Sequence, residues 1–151
     1  MTSAAFKAQE WLKRADELEE SRKRQYNKVL FIESKVNNCI SSYERTGARD
    51  PIGARAAHED LLADYVNACE ELETITIKVL HEDNITIDII LRLNNRLYRT
   101  LLFDRYINRS TIKAMEKSGI YNLKKSQLHK LNIDALEMLA SILETIPQSI
   151  N

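Results

Sequence analysis

Apolar residues recur in alternating steps of four and three along the first third of the chain. The run consists of Trp11, Ala15, Leu18, Arg22, Gln25, Val29, Ile32, Val36, Cys39 and Tyr43. A period of 3.5 residues without an intervening Gly or Pro predicts one amphipathic helix of coiled-coil type over residues 11–43. Arg22 and Gln25 occupy positions where apolar residues are expected, so they predict a polar layer that fixes the register.

The same period resumes after a short segment that contains Gly47 and Pro51. Asp50 can cap a second helix that begins at Pro51, because Pro needs no backbone donor there. This second seam runs through His58, Leu62, Tyr65, Cys69, Leu72, Thr76 and Val79. Two seams joined by a short loop predict an antiparallel helical hairpin. The hairpin either closes on itself or pairs with a second copy as a four-helix dimer, which is favoured because a thin hairpin buries little area per residue.

Shorter helices are predicted after Asp83 and Asn84, where two polar residues suggest a break. One helix is expected over residues 87–106, a short one over residues 111–118 with Asn108 or Ser110 as its cap, and a last one over residues 124–146. Gly119 is the expected left-handed terminator of the short helix. This order is typical of a helix-turn-helix. We therefore predict an all-α fold, with a hairpin association module over residues 1–84 and a small helix-turn-helix-like basic unit over residues 85–151.

Composition supports few, long helices and a cytoplasmic protein. The chain has only three Gly and two Pro, with 44% hydrophobic and 29% charged residues. No apolar run approaches the length of a membrane span, and the first residues lack the apolar core of a signal peptide. In the predicted hairpin Cys39 and Cys69 lie on the order of 20 Å apart along the helix, too far for a disulfide.

The charge distribution is uneven although the whole chain is neutral, with 22 basic and 22 acidic residues. Residues 91–130 carry ten Lys or Arg against two acidic residues, a net charge of +8. The remaining residues therefore carry −8. A basic unit on an acidic stalk is typical of nucleic-acid binders, whereas the alternative is a basic surface that docks onto an acidic protein.

These patterns assign candidate residues to two surfaces. Residues at the start of the last helix are expected to approach base edges and phosphates, and basic residues before it to hold the DNA backbone. The first group is Lys124, Lys125, Gln127, His129 and Lys130, and the second is Arg105, Arg109, Lys113 and Lys117. Dimerisation candidates on the seams are Trp11, Leu18, Val29, Ile32, Val36, Leu62, Tyr65, Leu72 and Val79.

No pattern in the sequence indicates catalysis. A Gly-rich phosphate loop, a His-x-x-x-His pair and a Cys-x-x-Cys pair are all missing. His58, His81 and His129 are too far apart in sequence to have the spacing of a metal site. We expect a protein without enzymatic activity, cofactor or metal.

The segment Leu101-Leu102-Phe103-Asp104-Arg105-Tyr106-Ile107 resembles the "LL-x-x-RY-l" run before the helix-turn-helix of RinA-like phage transcriptional activators, also grouped with ArpU-like regulators. Further similarity lies in the Trp11-Leu12 start, the "RTGARDPIG" turn, Gly119 with Tyr121, and Leu128, Leu131 and Ala135-Leu136. The chain departs from the family pattern at Met115, where a small Ala is usual, and in a longer segment between Gly119 and Leu128.

The resemblance implies a coiled-coil hairpin followed by a unit similar to region 4 of sigma factors. It further implies a phage- or prophage-encoded transcription regulator in the bacterial host cytosol, which binds double-stranded promoter DNA beside host RNA polymerase or a sigma factor. The competing hypothesis is a protein-interaction module with a degenerate helix-turn-helix that binds and modulates a host or phage protein. A longer turn would change the angle between the two helices and hence groove insertion.

Overall fold

The computed structural model describes residues 1–46 and 52–146, and the side chains of residues 1–40 and 57–146. Its helices are α1 (Ser3–Leu12), α2 (Asp16–Thr46), α3 (Ile52–Ile90), α4 (Arg96–Leu102), α5 (Ile112–Ser118) and α6 (Lys125–Glu144), with a π-helical turn over Phe103–Ile107. Within the described ranges there is no strand, which confirms the all-α class. The predicted turn at Gly47, Asp50 and Pro51 lies outside the described residues.

The chain divides into two compact units. Unit 1 consists of Met1–Ala15 together with the chain from His81 onward, and unit 2 of Asp16–Leu80. The sequence had grouped residues 1–84 in one module, whereas the structure groups the first fifteen residues with the C-terminal part. The reason is α1, which packs on α6 and buries Ala5, Ala8 and Leu12 in the core of unit 1.

A break at residues 13–15 separates α1 from α2, so the prediction of one helix over residues 11–43 is wrong. At this break the Arg14 side chain contacts Trp11 and Glu82. Its Nη1 donates to the Trp11 carbonyl at 2.9 Å, its Nε donates to Glu82 Oε2 at 3.0 Å, and its guanidinium lies 3.9 Å from the centre of the Trp11 ring. A regular heptad pattern carries no signal for this break, because Glu82 lies far away in sequence.

Unit 2 contains α2 and residues 52–80 of α3, and among its described side chains the buried apolar ones are Val29, Val36, Ala68 and Val79. The Gln25 side chain donates to the Ala68 carbonyl at 2.9 Å and so joins the two helices. Arg22 donates from two nitrogens to the Glu19 carboxylate, both at 2.8 Å. The polar residues in the predicted seam are therefore hydrogen-bonded.

Helix α3 runs through Asp83 and Asn84 to Ile90, so the predicted break there is wrong. The Asp83 carboxylate forms an ion pair with Arg109, with Oδ1 at 3.3 Å from Nη2. This polar residue is therefore paired within the helix and does not end it. The predicted helix over residues 87–106 is divided instead after Ile90. Asn95 caps α4 there, and its Oδ1 accepts from the Leu97 and Tyr98 amides at 2.9 and 3.2 Å.

Unit 1 has an apolar core that also contains the hydrogen-bonded side chains of Tyr106 and Asn132. The fully buried large side chains are Ile90, Leu93, Leu101, Leu102, Leu128, Leu136 and Leu139. The Tyr106 hydroxyl lies 3.3 Å from Asn132 Nδ2 and accepts from Gln9 Nε2 at 3.4 Å. These bonds satisfy Asn132 inside the core, and they link α6 to the π-helical turn and to α1.

Candidate nucleic-acid interface

Helix α5 is short, capped at both ends and held by its apolar face. The Thr111 hydroxyl accepts from the Ala114 amide at 3.1 Å, so Thr111 is the N-cap rather than the expected Asn108 or Ser110. Gly119 ends the helix in the left-handed region at φ 68°, as the sequence predicted. Ile112 and Met115 point into the core of unit 1. The remaining face of α5 is turned to solvent.

Residues 119–124 connect α5 to α6 and are anchored to the preceding segment. The Tyr121 hydroxyl donates to the Asp104 carboxylate in the π-helical turn, and it lies 3.4 Å from the Thr100 carbonyl. Burial, together with the hydrogen bond to Asp104, raises the pKa of Tyr121 above its ordinary value. Asn122 also has a left-handed backbone, at φ 52°. The turn therefore has a defined conformation although it is exposed.

The first turn of α6 is capped from α5 and from within. The Lys125 amide donates to the Glu116 carboxylate of α5, and the Lys124 amide donates to Gln127 Oε1 at 3.0 Å. These bonds satisfy backbone donors that a helix start leaves open. They also fix where α6 begins relative to α5. Gln127, a predicted base reader, thus has a capping role as well.

On α5 and at the start of α6 the cationic side chains are exposed and most large apolar side chains are buried. The predicted contact residues Lys113, Lys117, Lys124, Lys125, Gln127, His129 and Lys130 are all exposed, as are Glu116, Ser118 and Ser126. Leu128 is fully buried and Leu131 partly buried between them. Seven of the nine predicted DNA-contacting residues are therefore exposed on two consecutive helices that pack against each other.

The two predicted arginine contacts lie elsewhere and hold the chain together. Arg105 donates to the Ser110 carbonyl at 3.1 Å. Arg109, with a left-handed backbone at φ 55°, donates to the Ile107 carbonyl at 3.0 Å and pairs with Asp83. Both guanidinium groups thus bind internal partners that compete with any DNA phosphate.

The predicted dimerisation residues are distributed over both units. Trp11 packs against the core of unit 1, outside the unit that contains the other candidates. Within unit 2 Val29, Val36 and Val79 are buried inside a single chain. Leu18, Ile32, Tyr65 and Leu72 are partly buried, and Leu62 is exposed. Much of the predicted seam is therefore covered without a second copy.

Three residues of this region were not among the predicted site residues. Glu116 and Tyr121 fix the turn through hydrogen bonds, and Ile120 has an exposed side chain at its tip. The only sequence signal for Ile120 was an apolar residue next to a helix-terminating Gly. The bonds of Glu116 and Tyr121 depend on partners 9 and 17 residues away, which residue type alone does not reveal.

Other kinds of site find no support among the described residues. No cluster of three or more His, Cys, Asp or Glu side chains that could hold a metal ion occurs there. None of the helices in the described ranges has the length and apolarity needed to cross a bilayer. No protein-family model, curated protein or solved structure matches the chain.

Proposed function

We propose that this protein is a transcription regulator that binds double-stranded DNA through α5, the turn and the first turns of α6. The observation that carries the proposal is an exposed cationic surface with almost no acidic residue near it in sequence. Between residues 105 and 133 the only acidic residue is Glu116, and its carboxylate accepts the Lys125 amide. The positive charge of this surface is thus available to a polyanion.

The order of the lysines along two consecutive helices supports contacts of helix-turn-helix type. Lys113 and Lys117 lie one helical turn apart on α5, while Lys124, Lys125 and Lys130 lie on the start of α6. In helix-turn-helix proteins the N-terminal residues of the second helix reach base edges while the first helix crosses the backbone. We assign phosphate contacts to the α5 lysines. The α6 lysines and His129 approach bases and phosphates.

Salt-dependent binding to a duplex tests the proposal. The triple variant Lys124→Ala, Lys125→Ala, Lys130→Ala is compared with the parent by fluorescence anisotropy on a 30-base-pair duplex at rising salt. Neutralising Z phosphates gives a slope of about −0.9Z in log K against log salt, so each lost contact reduces the slope by about one unit. The matched control replaces Lys7, Lys23 and Lys28, which are equally exposed on α1 and α2.

The result expected is weaker binding and a shallower slope for the α6 variant alone. Equal affinity and slope in a folded α6 variant would contradict the proposal. The basic surface would then be assigned to an acidic protein partner, as in the competing hypothesis. A salt-insensitive pull-down of one host or phage protein, resistant to nuclease, is the positive result for that alternative.

We further propose that α2 and residues 52–80 of α3 form an antiparallel hairpin that associates with a second copy. Large apolar side chains of unit 2 are exposed, among them Tyr26, Phe31, Val66 and Ile77 at 48 to 62%. These exposed residues would form the contact, because Val29, Val36 and Val79 are already covered. Sedimentation at micromolar concentration should give a dimer or larger assembly. A concentration-independent monomer mass would contradict association.

Origin in a phage or prophage, and action beside RNA polymerase or a sigma factor, belong to the same proposal. They are supported only by the resemblance of residues 101–107 and of the later matches to RinA-like activators. A transcription assay with and without the protein on a promoter recovered by DNA selection tests this part. A change in transcript yield that the α6 lysine variant abolishes is the expected result.

A further inference from the structure

Ile120 is the most exposed large apolar side chain among the described residues, at 76%. It lies at the tip of the turn between α5 and α6. Single exposed apolar residues are common on protein surfaces and by themselves indicate nothing. The position of Ile120 is what distinguishes it, because Lys117 lies three residues before it and Lys124 four residues after it, both exposed.

The backbone around Ile120 is fixed on both sides. Gly119 precedes it in the left-handed region, and the Ile120 amide lies 3.4 Å from the Ser118 hydroxyl, which accepts from it. Tyr121 follows and is bonded to Asp104 and Thr100. The exposed Ile120 side chain therefore lies on a backbone that hydrogen bonds hold on both sides. A partner that covers it gains apolar burial without having to order the turn.

A partner for this tip must combine negative charge with an apolar group. The major groove of DNA has that combination, since phosphates border it and the 5-methyl group of thymine projects into it. Ile120 is five residues from Lys125, so at about 3.4 Å per residue it lies at most roughly 17 Å from the start of α6. At about 3.4 Å per base pair that distance spans roughly five pairs.

We propose that Ile120 contacts the 5-methyl group of a thymine and makes the protein prefer an A·T pair at that position. This inference rests on the proposed DNA-binding function and names one determinant of its sequence preference. The lysines supply affinity for any sequence, whereas the methyl contact discriminates thymine from other bases. The preferred position lies within about five pairs of those contacted by the start of α6.

The test uses DNA that lacks only the methyl group. A duplex selected by the protein from a random pool is resynthesised with deoxyuridine in place of each thymidine in turn. For the parent we expect about fourfold weaker binding at one position, the equivalent of about 0.8 kcal/mol for one buried carbon group. Ile120→Ala should bind the thymine duplex about fourfold or more weakly and show no response to deoxyuridine at that position.

Two variants keep the test decisive. Leu91→Ala removes another side chain of unit 1 that is 63% exposed and should retain the parent's response to deoxyuridine. Ile120→Val keeps a branched side chain and should retain part of the response, which serves if Ile120→Ala melts at a lower temperature.

Three outcomes would overturn the inference. The first is a parent that binds DNA with a salt slope yet responds to no deoxyuridine, and the second is an Ile120→Ala variant that responds as the parent does. Either result leaves the DNA-binding function standing. Absence of any salt-dependent binding by the parent removes the proposed function as well. The lysine variant thus tests DNA binding as such, whereas the deoxyuridine series tests the contact between Ile120 and thymine.

Discussion

Replacing Leu12 by alanine should destabilise unit 1 by about 3 kcal/mol. Leu12 is only 3% exposed at the end of α1 and belongs to the core that α6 dominates. The change removes three carbon atoms, each worth about 0.8 kcal/mol when buried. The cavity left behind adds to this loss, and measured Leu-to-Ala changes cost about 2–5 kcal/mol.

Trp11 makes the effect measurable in the unit concerned. It is the chain's single tryptophan, and it packs against the core of unit 1. Urea unfolding followed by its fluorescence should show the midpoint lowered by about 1.5 M if the slope is about 2 kcal/mol/M. The matched control is Phe6→Ala on the same helix. Phe6 is 56% exposed, so its loss should change stability by no more than about 0.5 kcal/mol.

The comparison of the two variants decides whether α1 is held on the core of unit 1. Equal, small shifts for Leu12→Ala and Phe6→Ala would refute the reasoning, because they would mean that α1 contributes no buried face. A large shift for Phe6→Ala would refute it too, since an exposed side chain has little to lose. Far-UV circular dichroism of both variants confirms that the helices remain formed before urea is added.

Three smaller changes test the region around the interface. Gly119→Ala should lower stability in thermal melting by about 1 kcal/mol through backbone strain at φ 68°, because beyond its two chain neighbours no described heavy atom lies within 4 Å of the added Cβ. Tyr106→Phe should cost about 1–2 kcal/mol in urea unfolding by removing a buried partner of Asn132, and Tyr106→Phe with Asn132→Leu should recover part of it. Burial and the hydrogen bond to Asp104 raise the pKa of Tyr121. The stabilisation from its protonated hydroxyl is therefore fully present below the ordinary tyrosine pKa of about 10 and is lost as the pH rises above that value. Tyr121→Phe should weaken the pH dependence of alkaline unfolding.

The helical class follows from patterns that are local in sequence. A chain with three Gly and two Pro has few points at which a helix must end. Val29 and Val36 are buried where the 3.5-residue period placed them. Gly119 adopts the left-handed conformation for which a residue without a Cβ is suited. Periodicity and terminator residues were sufficient for these features.

The helix boundaries and two site residues depend on contacts that the pattern does not contain. Asp83 looked like a helix break, yet its carboxylate pairs with Arg109, 26 residues later. That pairing also withdraws Arg109 from the set of phosphate contacts. Arg14, just beyond the end of α1, bonds to the Trp11 carbonyl and to Glu82, 68 residues away. Charge counted along the sequence cannot separate such internal arginines from exposed lysines.

The packing of α1 on α6 determines when during synthesis unit 1 can be completed. Leu12 ends α1 and Lys125 begins α6, 113 residues later. At about 5–20 residues per second, roughly 6–23 s pass between the synthesis of Leu12 and that of the first residue of its partner helix. Unit 2 is continuous in sequence and can form during that interval. Its folding therefore precedes that of unit 1, in which the buried face of α1 stays uncovered until α6 has been synthesised.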